Sequence, residues 1–471
     1  MQLSLRQVNT GCGAAAAICV LQALGLWFGL AFAAPPATAT AYADRVVERT
    51  LDNGLKLILL EDHKSPVAVV QVYYRVGSRN DIPGKSGRAH LLEHMMFKGT
   101  PTTGPEEYSR IIQRNGGRTN AFTSRDRTTY FASIASDRLG VVVDLEADRM
   151  ANLIISDEAY DSERSVVTEE RRLRVDNNPA GDLFEQLYLT AFDAHPYRLP
   201  IIGFMTDIRQ STAADLREFF DLYYVPNNAF VVVVGDFAAD KLADELEAAF
   251  GSIPAGALPP SVRSREPTQR GERRVEVNRE AQLPLVALSH HVPNLQSGDA
   301  AALEVLSQIL AGGKSSRLHQ RLVYRERVAL YAGTDYNYSA LDPNLFTLYS
   351  QPLPGHTAAE IEAMLLDELA RLESSPPADL ELQRAKNQME AHYVFAQDSI
   401  FYQAMLLGDY EIAGDWRLID RYLPNVRAVT RDDVLRVARY YLVPTNRTVA
   451  TLVPQPGAES RPVGESPEAS E

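Results

Sequence analysis

The stretch RAHLLEHMMFKGT, residues 88–100, carries two histidines four apart with a glutamate beside the second. On a helix, positions i and i+4 share a face, so His90 and His94 would project together. Two imidazoles so placed could chelate one zinc ion (Zn2+), and Glu93 falls at i+3 from His90 on the same side. This H-x-x-E-H order inverts the H-E-x-x-H zinc site. Hydrolytic zinc needs three protein ligands and an open position for water. The metal lowers the pKa of that water and polarises a carbonyl; Glu93 would act as general base, then as acid to a leaving amine. The alternative is a helix that merely carries two imidazoles.

A third ligand must come from elsewhere. SERSVVTEERRLRV (162–175) offers Glu163 and Glu170, seven apart and therefore on one helix face, with Glu169 pointing away. One carboxylate could ligate while another orients a histidine from outside. Taken alone, the same segment also reads as a solvated charged helix with i,i+4 pairs. Both cysteines, Cys12 and Cys19, lie in an apolar N-terminal segment. A mature chain without that segment has no thiolate ligand, disulfide or cysteine nucleophile, so a metal must be held by His, Asp or Glu.

These residues need elements to position them. Residues 48–77 alternate apolar and polar side chains around Asn53-Gly54, which predicts a hairpin leading to a longer strand. Leu91 to Lys98 reads as helical, as do 102–117, 137–153 and 156–175. Residues 118–135 read as two short strands, and 229–237 as a buried strand. The 253–274 stretch, rich in Pro, Gly and charge, reads as a linker. The pattern then restarts: 212–228 lies on 430–446 without a gap, with six of 17 positions identical. One α+β domain duplicated at an offset near 218 residues explains this. Near 299–310 the second copy holds Ala, Leu and Val where the first has its histidines.

Length and composition set the frame. The 471 residues predict two domains, and 45% hydrophobic with 23% charged residues is ordinary for a globular chain. A net charge of −14 argues against nucleic acid as a partner. Residues 1–43 read as an export leader, with Arg6 the only charge before Asp44 and an apolar run from Ala14 to Ala34. Cleavage near Ala31-Phe32-Ala33 or Ala41-Tyr42-Ala43 and delivery to a bacterial periplasm is the expectation. An uncleaved membrane anchor is the alternative, because the run approaches spanning length. The organisation expected is a leader (1–43), a metal-bearing domain (44–253), a linker (254–274), a second homologous domain (275–455) and a disordered tail (456–471).

GRAHLLEHMMFKGT followed by VVTEERRLRVDNNP resembles the pitrilysin family of zinc peptidases, in its shorter bacterial two-domain form. TLDNGLKLIL, NAFTSRDRTTY, HPYRLPIIG and GGKSSRLHQRLV are similar to family segments too, so the resemblance spans about 45–455. It implies two α+β domains, each a mainly antiparallel sheet packed with helices. It implies His90, His94 and Glu170 as zinc ligands, Glu93 as base and Glu163 as a supporting carboxylate. Asn120, Ala121, Phe122 and Thr123 match the segment that holds a peptide substrate as an added strand.

The family also supplies an Arg and a Tyr, seven apart, from a facing half. Here Tyr331 fits the Tyr position, but Tyr324 stands at the Arg position and Arg325 is one step off. Two arrangements remain open: a homodimer with altered substrate contacts, or a heterodimer in which a homologous zinc-less partner brings the Arg and Tyr. The function expected is that of an exported zinc endopeptidase acting on peptides or unfolded polypeptide. A non-catalytic assembly or binding subunit of the same fold is the alternative. His290-His291 and His195-Pro196-Tyr197 are read as structural.

Overall fold

A computed structural model of the chain describes residues 41–455. The expected leader, up to Thr40, and the expected tail from 456 lie outside the described residues. The first half contains β1 (Val46–Thr50), β2 (Lys56–Glu61), β3 (Val67–Tyr74), β4 (Arg118–Thr123), β5 (Thr128–Ala135) and β6 (Ala229–Gly235). Its helices are α1 (Arg88–Met95), α2 (Glu107–Arg114), α3 (Leu139–Asn152), α4 (Asp157–Arg171), α5 (Pro179–Ala191), α6 (Met205–Gln210), α7 (Ala213–Tyr223) and α8 (Ala239–Phe250). The second half contains β7 (Arg273–Glu280), β8 (Leu285–Val292), β9 (Ala329–Tyr336), β10 (Asn344–Pro352) and β11 (Arg447–Gln455). Its helices are α9 (Ala300–Ala311), α10 (Ala358–Ser374), α11 (Asp379–Ala396), α12 (Ile400–Ala413), α13 (Tyr422–Ala428) and α14 (Arg431–Tyr441).

The fold is α+β with two sheets of the same design. The first runs β1-β2-β6-β3-β5-β4 and the second β7-β11-β8-β10-β9. Each has one parallel pair, β2 with β6 and β7 with β11, and is otherwise antiparallel. The expected hairpin forms as β1 and β2, with Gly54 at φ 86° in the turn. The repeat in sequence is a repeat in structure. Both α7 and α14 start at a threonine, Thr212 or Thr430, whose hydroxyl accepts from the N–H of an aspartate three residues on. That reciprocal cap satisfies free N–H groups of the first turn. Pro226 and Pro444 then begin a short 3-10 turn before the strand.

Side chains alternate across the first sheet. Leu57, Leu59, Val70, Val72, Val231 and Val233 face the helices of their own half. Ile58, Leu60, Val69, Tyr73, Val232 and Val234 face the other way, onto Ala404, Leu407, Tyr410 and Trp416. So α12, from the second half, covers the back of the first sheet. In return α5, from the first half, covers the second sheet through Leu183 and Leu187 against Leu285, Ala287 and Leu452. The halves therefore exchange one helix each, which the linear 44–253 and 275–455 division does not convey. Residues 254–272 carry no helix or strand, and β7 begins at Arg273, inside the segment read as linker.

Two boundaries differ from expectation at points that matter. The helix expected from Leu91 starts at Arg88, which puts His90 in its first turn. The segment read as leader, 1–43, includes two residues that pack on the body: Tyr42 is buried against the first sheet, and Tyr42 and Ala43 N–H donate to Asp420. Among the described residues no helix is long and apolar enough to cross a membrane.

Candidate active site

The site begins with how α1 is held. Gly87 precedes the helix at φ 89°, and a Cβ there would meet Ile202 O at 2.6 Å. Gly203, at φ 86°, presses against Gly87 in the same way, so only glycine fits either position. Asp81 Oδ2 accepts from the Gly87 N–H at 2.8 Å, which caps the helix N-terminus. Asp207 accepts from both Ser86 N–H and Ser86 Oγ. The HPYRLPIIG segment thus does physical work, because its last residue seats the helix that carries the histidines.

On α1, His90 and His94 lie side by side, with ring centroids 4.9 Å apart. α4 crosses behind them. Glu170 Oε2 is 3.3 Å from His94 Nε2 and 3.7 Å from His90 Nε2. His90, His94 and Glu170 each bring one donor atom within 4.8 Å of the others. Glu163 lies two turns earlier on the same face of α4, with Oε2 3.3 Å from His94 Nδ1 and Oε1 2.7 Å from Lys98 Nζ. Glu169 instead pairs with Arg172 on the surface. The choice between neighbouring glutamates is thus visible in the geometry. Arg174 Nη2 contacts the outer oxygen of Glu170 at 2.8 Å. His90 Nδ1 is buried and, among the described residues, has no protein partner, unlike His94 Nδ1.

Electrostatics set these groups apart. Burial pushes His90 down to about 4, and neighbouring His94 adds to the shift. Burial also opposes charge on His94, but Glu163, Glu170 and Glu93 outweigh it and raise His94 to about 9. Burial lifts Glu93 above the usual carboxylate range, against the opposing pull of Thr123 and His94. Glu163 stays low despite burial because His94 and Lys98 face it. Two nitrogens and one carboxylate oxygen converging in an acidic setting form a donor set that fits zinc.

The site opens into a cavity of about 810 Å3. Glu93, Asn120, Ala121, Phe122 and Thr123 line it with the three donors. Among the described residues β4 is the last strand of its sheet, and its outer backbone edge has no strand neighbour. Phe97, Phe184 and Ile202 add apolar wall; Lys98, Arg125 and Asp335 add charge. Asp335 comes from β9, in the second half. Tyr331, on the same strand, is not brought to the cavity; its ring lies 6.1 Å from Tyr349 and it is 39% exposed. Tyr324 and Arg325 end a π-helical segment, His319–Arg325, and do not line the cavity either. Lys98 and Arg174 are site residues that sequence reasoning misses. Lys98 stands within the quoted motif, and Arg174 is four residues past Glu170, a spacing that signals contact on a helix.

Among the described residues the second half holds no such group of donors. Its helix α9 buries Ala302, Val305 and Leu306 in an apolar core.

Two family profiles match the chain. A family profile described as Insulinase (Peptidase family M16) matches residues 56–204. A second, described as Peptidase M16 inactive domain, matches residues 211–389. The chain is 35% identical to the zinc protease PqqE of Helicobacter pylori over 88% of this chain and 94% of that protein. It is 29% identical to an uncharacterized zinc protease of Streptomyces coelicolor, over 83% and 86% of the two chains. The crystal structure of a protease from Helicobacter pylori superposes with a TM-score of 0.85 at 34% identity, over 87% of this chain and 99% of that one. The periplasmic protease PqqL from Escherichia coli shares the fold, with a TM-score of 0.74 at 20% identity, over 88% of this chain and 48% of that one. The chain belongs to the M16, or insulinase, family of zinc peptidases, the group its motifs resemble under the name pitrilysin.

Proposed function

We propose that this chain is an exported zinc endopeptidase that cuts peptides or unfolded polypeptide segments laid along β4. The observation that carries the reading is the meeting of His90, His94 and Glu170 donors within 4.8 Å, in one cavity with Glu93 and an open strand edge. His90, His94 and Glu170 would hold the zinc. Bound there, zinc polarises the scissile carbonyl and acidifies a water. Glu93 takes the proton from the attacking water and delivers it to the leaving amine nitrogen. Glu163 turns the His94 ring, and Lys98 holds Glu163. The edge of β4 pairs with the substrate backbone, which makes binding tolerant of sequence. Phe97, Phe184 and Ile202 favour apolar side chains beside the bond that is cut.

Two further parts of the reading concern context. Export with cleavage after the Ala31-Phe32-Ala33 site leaves Tyr42 in place on the first sheet, whereas cleavage after Ala43 would remove it. The substrate chamber is closed by a second chain. What supports this is that Tyr331 lies away from the cavity of its own chain.

The test is zinc content and peptide hydrolysis of the purified mature chain. Glu93→Gln should keep zinc and lose hydrolysis; His94→Ala should lose both. Normal turnover by Glu93→Gln would remove the mechanism. Zinc without hydrolysis in the wild-type chain would call for a partner that completes the site.

A further inference from the structure

Thr123 is the last residue of β4, and strand alternation decides where its side chain goes. Asn120 and Phe122 share the face toward α12; Phe122 lies 6.4 Å from Phe131, which itself lies 4.9 Å from Phe401. Ala121 and Thr123 share the opposite face, opposite Tyr130 and Thr128, toward α1. There the Thr123 hydroxyl donates to Glu93 Oε2 at 2.6 Å. Among the described residues no other group donates to Glu93.

The direction of that bond is set by the carboxylate, which accepts and has no proton to give when ionised. Thr128 Oγ1 lies 3.4 Å from Thr123 Oγ1 and donates its own proton to Val76 O at 2.9 Å. A hydroxyl has one proton to give. With that of Thr128 engaged, Thr128 can only accept from Thr123, and its 3.4 Å contact is much longer than the 2.6 Å contact by which the Thr123 proton reaches Glu93. One carboxylate oxygen is therefore occupied and the other, Oε1, is left for the reacting centre.

Thr123 is itself held in place. In the turn that follows, Ser124 Oγ accepts from the N–H groups of Asp126 and Arg127. Ser78 and Arg79 N–H donate to Ser124 O and Arg125 O. The Asp126 carboxylate accepts from Tyr197 Oη at 2.7 Å and from the Leu341 N–H of the second half at 3.1 Å. A turn fixed from so many sides holds a hydroxyl within the fraction of an ångström that a catalytic contact needs.

We propose that Thr123 is the positioning residue for Glu93: its hydroxyl fixes Oε2, so that Oε1 alone faces the water. This rests on the reading of Glu93 as base given above, and it assigns the Thr123 side chain to the base rather than to the substrate strand.

The experiment compares wild type, Thr123→Val, Thr123→Ser and Glu93→Gln in the full mature chain. Fluorescein-labelled casein is the probe, and zinc content and Tm are measured on each variant. Valine keeps the shape and strand preference of threonine without the hydroxyl. The expected result is a loss in kcat of about 10- to 100-fold in Thr123→Val, with KM, zinc content and Tm unchanged, because misplacing a catalytic group acts on kcat. Thr123→Ser should recover most of the rate. Full activity in Thr123→Val, a change confined to KM, loss of zinc, or a serine variant as slow as valine would each overturn the proposal. Glu93→Gln separates the two ideas: if it still cleaves, the base assignment itself fails. If the wild-type chain alone cleaves nothing, crystal structures of the zinc-loaded wild type and Thr123→Val decide. A Glu93 carboxylate that turns in the valine variant supports the proposal, and an unmoved one overturns it.

Discussion

Lys98 Nζ sits 2.7 Å from Glu163 Oε1, so the carboxylate that faces His94 is itself held from behind. Glu163 is buried while Lys98 is partly exposed, and the pair fixes the His94 ring without touching the three converging donors. Outer partners of this kind tune metal affinity rather than create it. Glu163→Gln should therefore keep one zinc per chain but weaken its affinity about 10- to 100-fold. Competition against a chromophoric chelator measures this. Glu170→Gln should weaken affinity much further, and equal affinities for the two variants would contradict the separation of roles.

Arg79 joins the halves. Its guanidinium lies 3.3 Å from Asp126, in the β4–β5 turn, and 2.5 Å from Asp342, in the β9–β10 turn. His195 Nε2 lies 3.1 Å from Asp342, and Asp342 N–H donates to Tyr197 Oη. Asp342→Asn removes one of two carboxylates facing a buried guanidinium. Since Asp342 is one-third exposed, the expected destabilisation is about 1–3 kcal/mol, below the range for a fully buried pair. A lower urea midpoint with an unchanged slope is the readout. A midpoint equal to wild type would make the network ornamental to stability.

Local spacing makes part of this molecule legible. The His90–Glu93–His94 face follows from the helical period alone, and the Asn53-Gly54 turn from its residue types. The duplicated 212–228 and 430–446 segments fold alike because cap, helix and proline turn are all local features. What is not legible depends on contacts distant in sequence. An amphipathic helix shows that it needs a sheet, not which sheet, so the exchange of α5 and α12 cannot be read. Thr123 reads as a strand residue because its bond to Glu93 depends on how α1 lies over β4. His195 reads as merely structural, and its link to Asp342 across 147 residues carries no local signature. Tyr42 falls in the leader by composition, although its burial ties it to the body.

Glu304, on α9, is half-buried, with one oxygen accepting from Tyr422 Oη at 3.1 Å and the other, among the described residues, without a partner. Burial pushes its pKa from 4.5 up to about 7. Tyr336, Tyr338 and Tyr410 stand around it, with no compensating cation among the described residues. Because the folded-state pKa lies above the unfolded one, this group favours folding at low pH, and that contribution is lost as pH rises through about 7. Glu304→Gln, which cannot ionise, should therefore gain stability relative to wild type as pH rises from 4.5 to about 7, on the order of 1–3 kcal/mol, and keep that gain above it. Tm measured for both proteins across that range checks it. A difference independent of pH would show that Glu304 does not ionise in this range.

Gly408 is where α12 meets the first sheet. A Cβ at this position would lie 2.0 Å from Tyr73 Cζ. Tyr73 has little room to yield: it stacks on Phe230 with centroids 4.7 Å apart, and its hydroxyl donates to Gln71 Oε1 at 2.5 Å. Helix propensity alone would make alanine better than glycine here, by about 1 kcal/mol. Overpacking acts in the opposite direction, by about 1–3 kcal/mol, and the short contact to a held ring decides between them. Gly408→Ala should thus lower stability and loosen α12 from the sheet. Hydrogen exchange should rise in α12 and stay unchanged in α10, which packs within the second half. A stabilised variant would mean that the ring moves aside and that the exchanged helix is seated less tightly than its contacts imply.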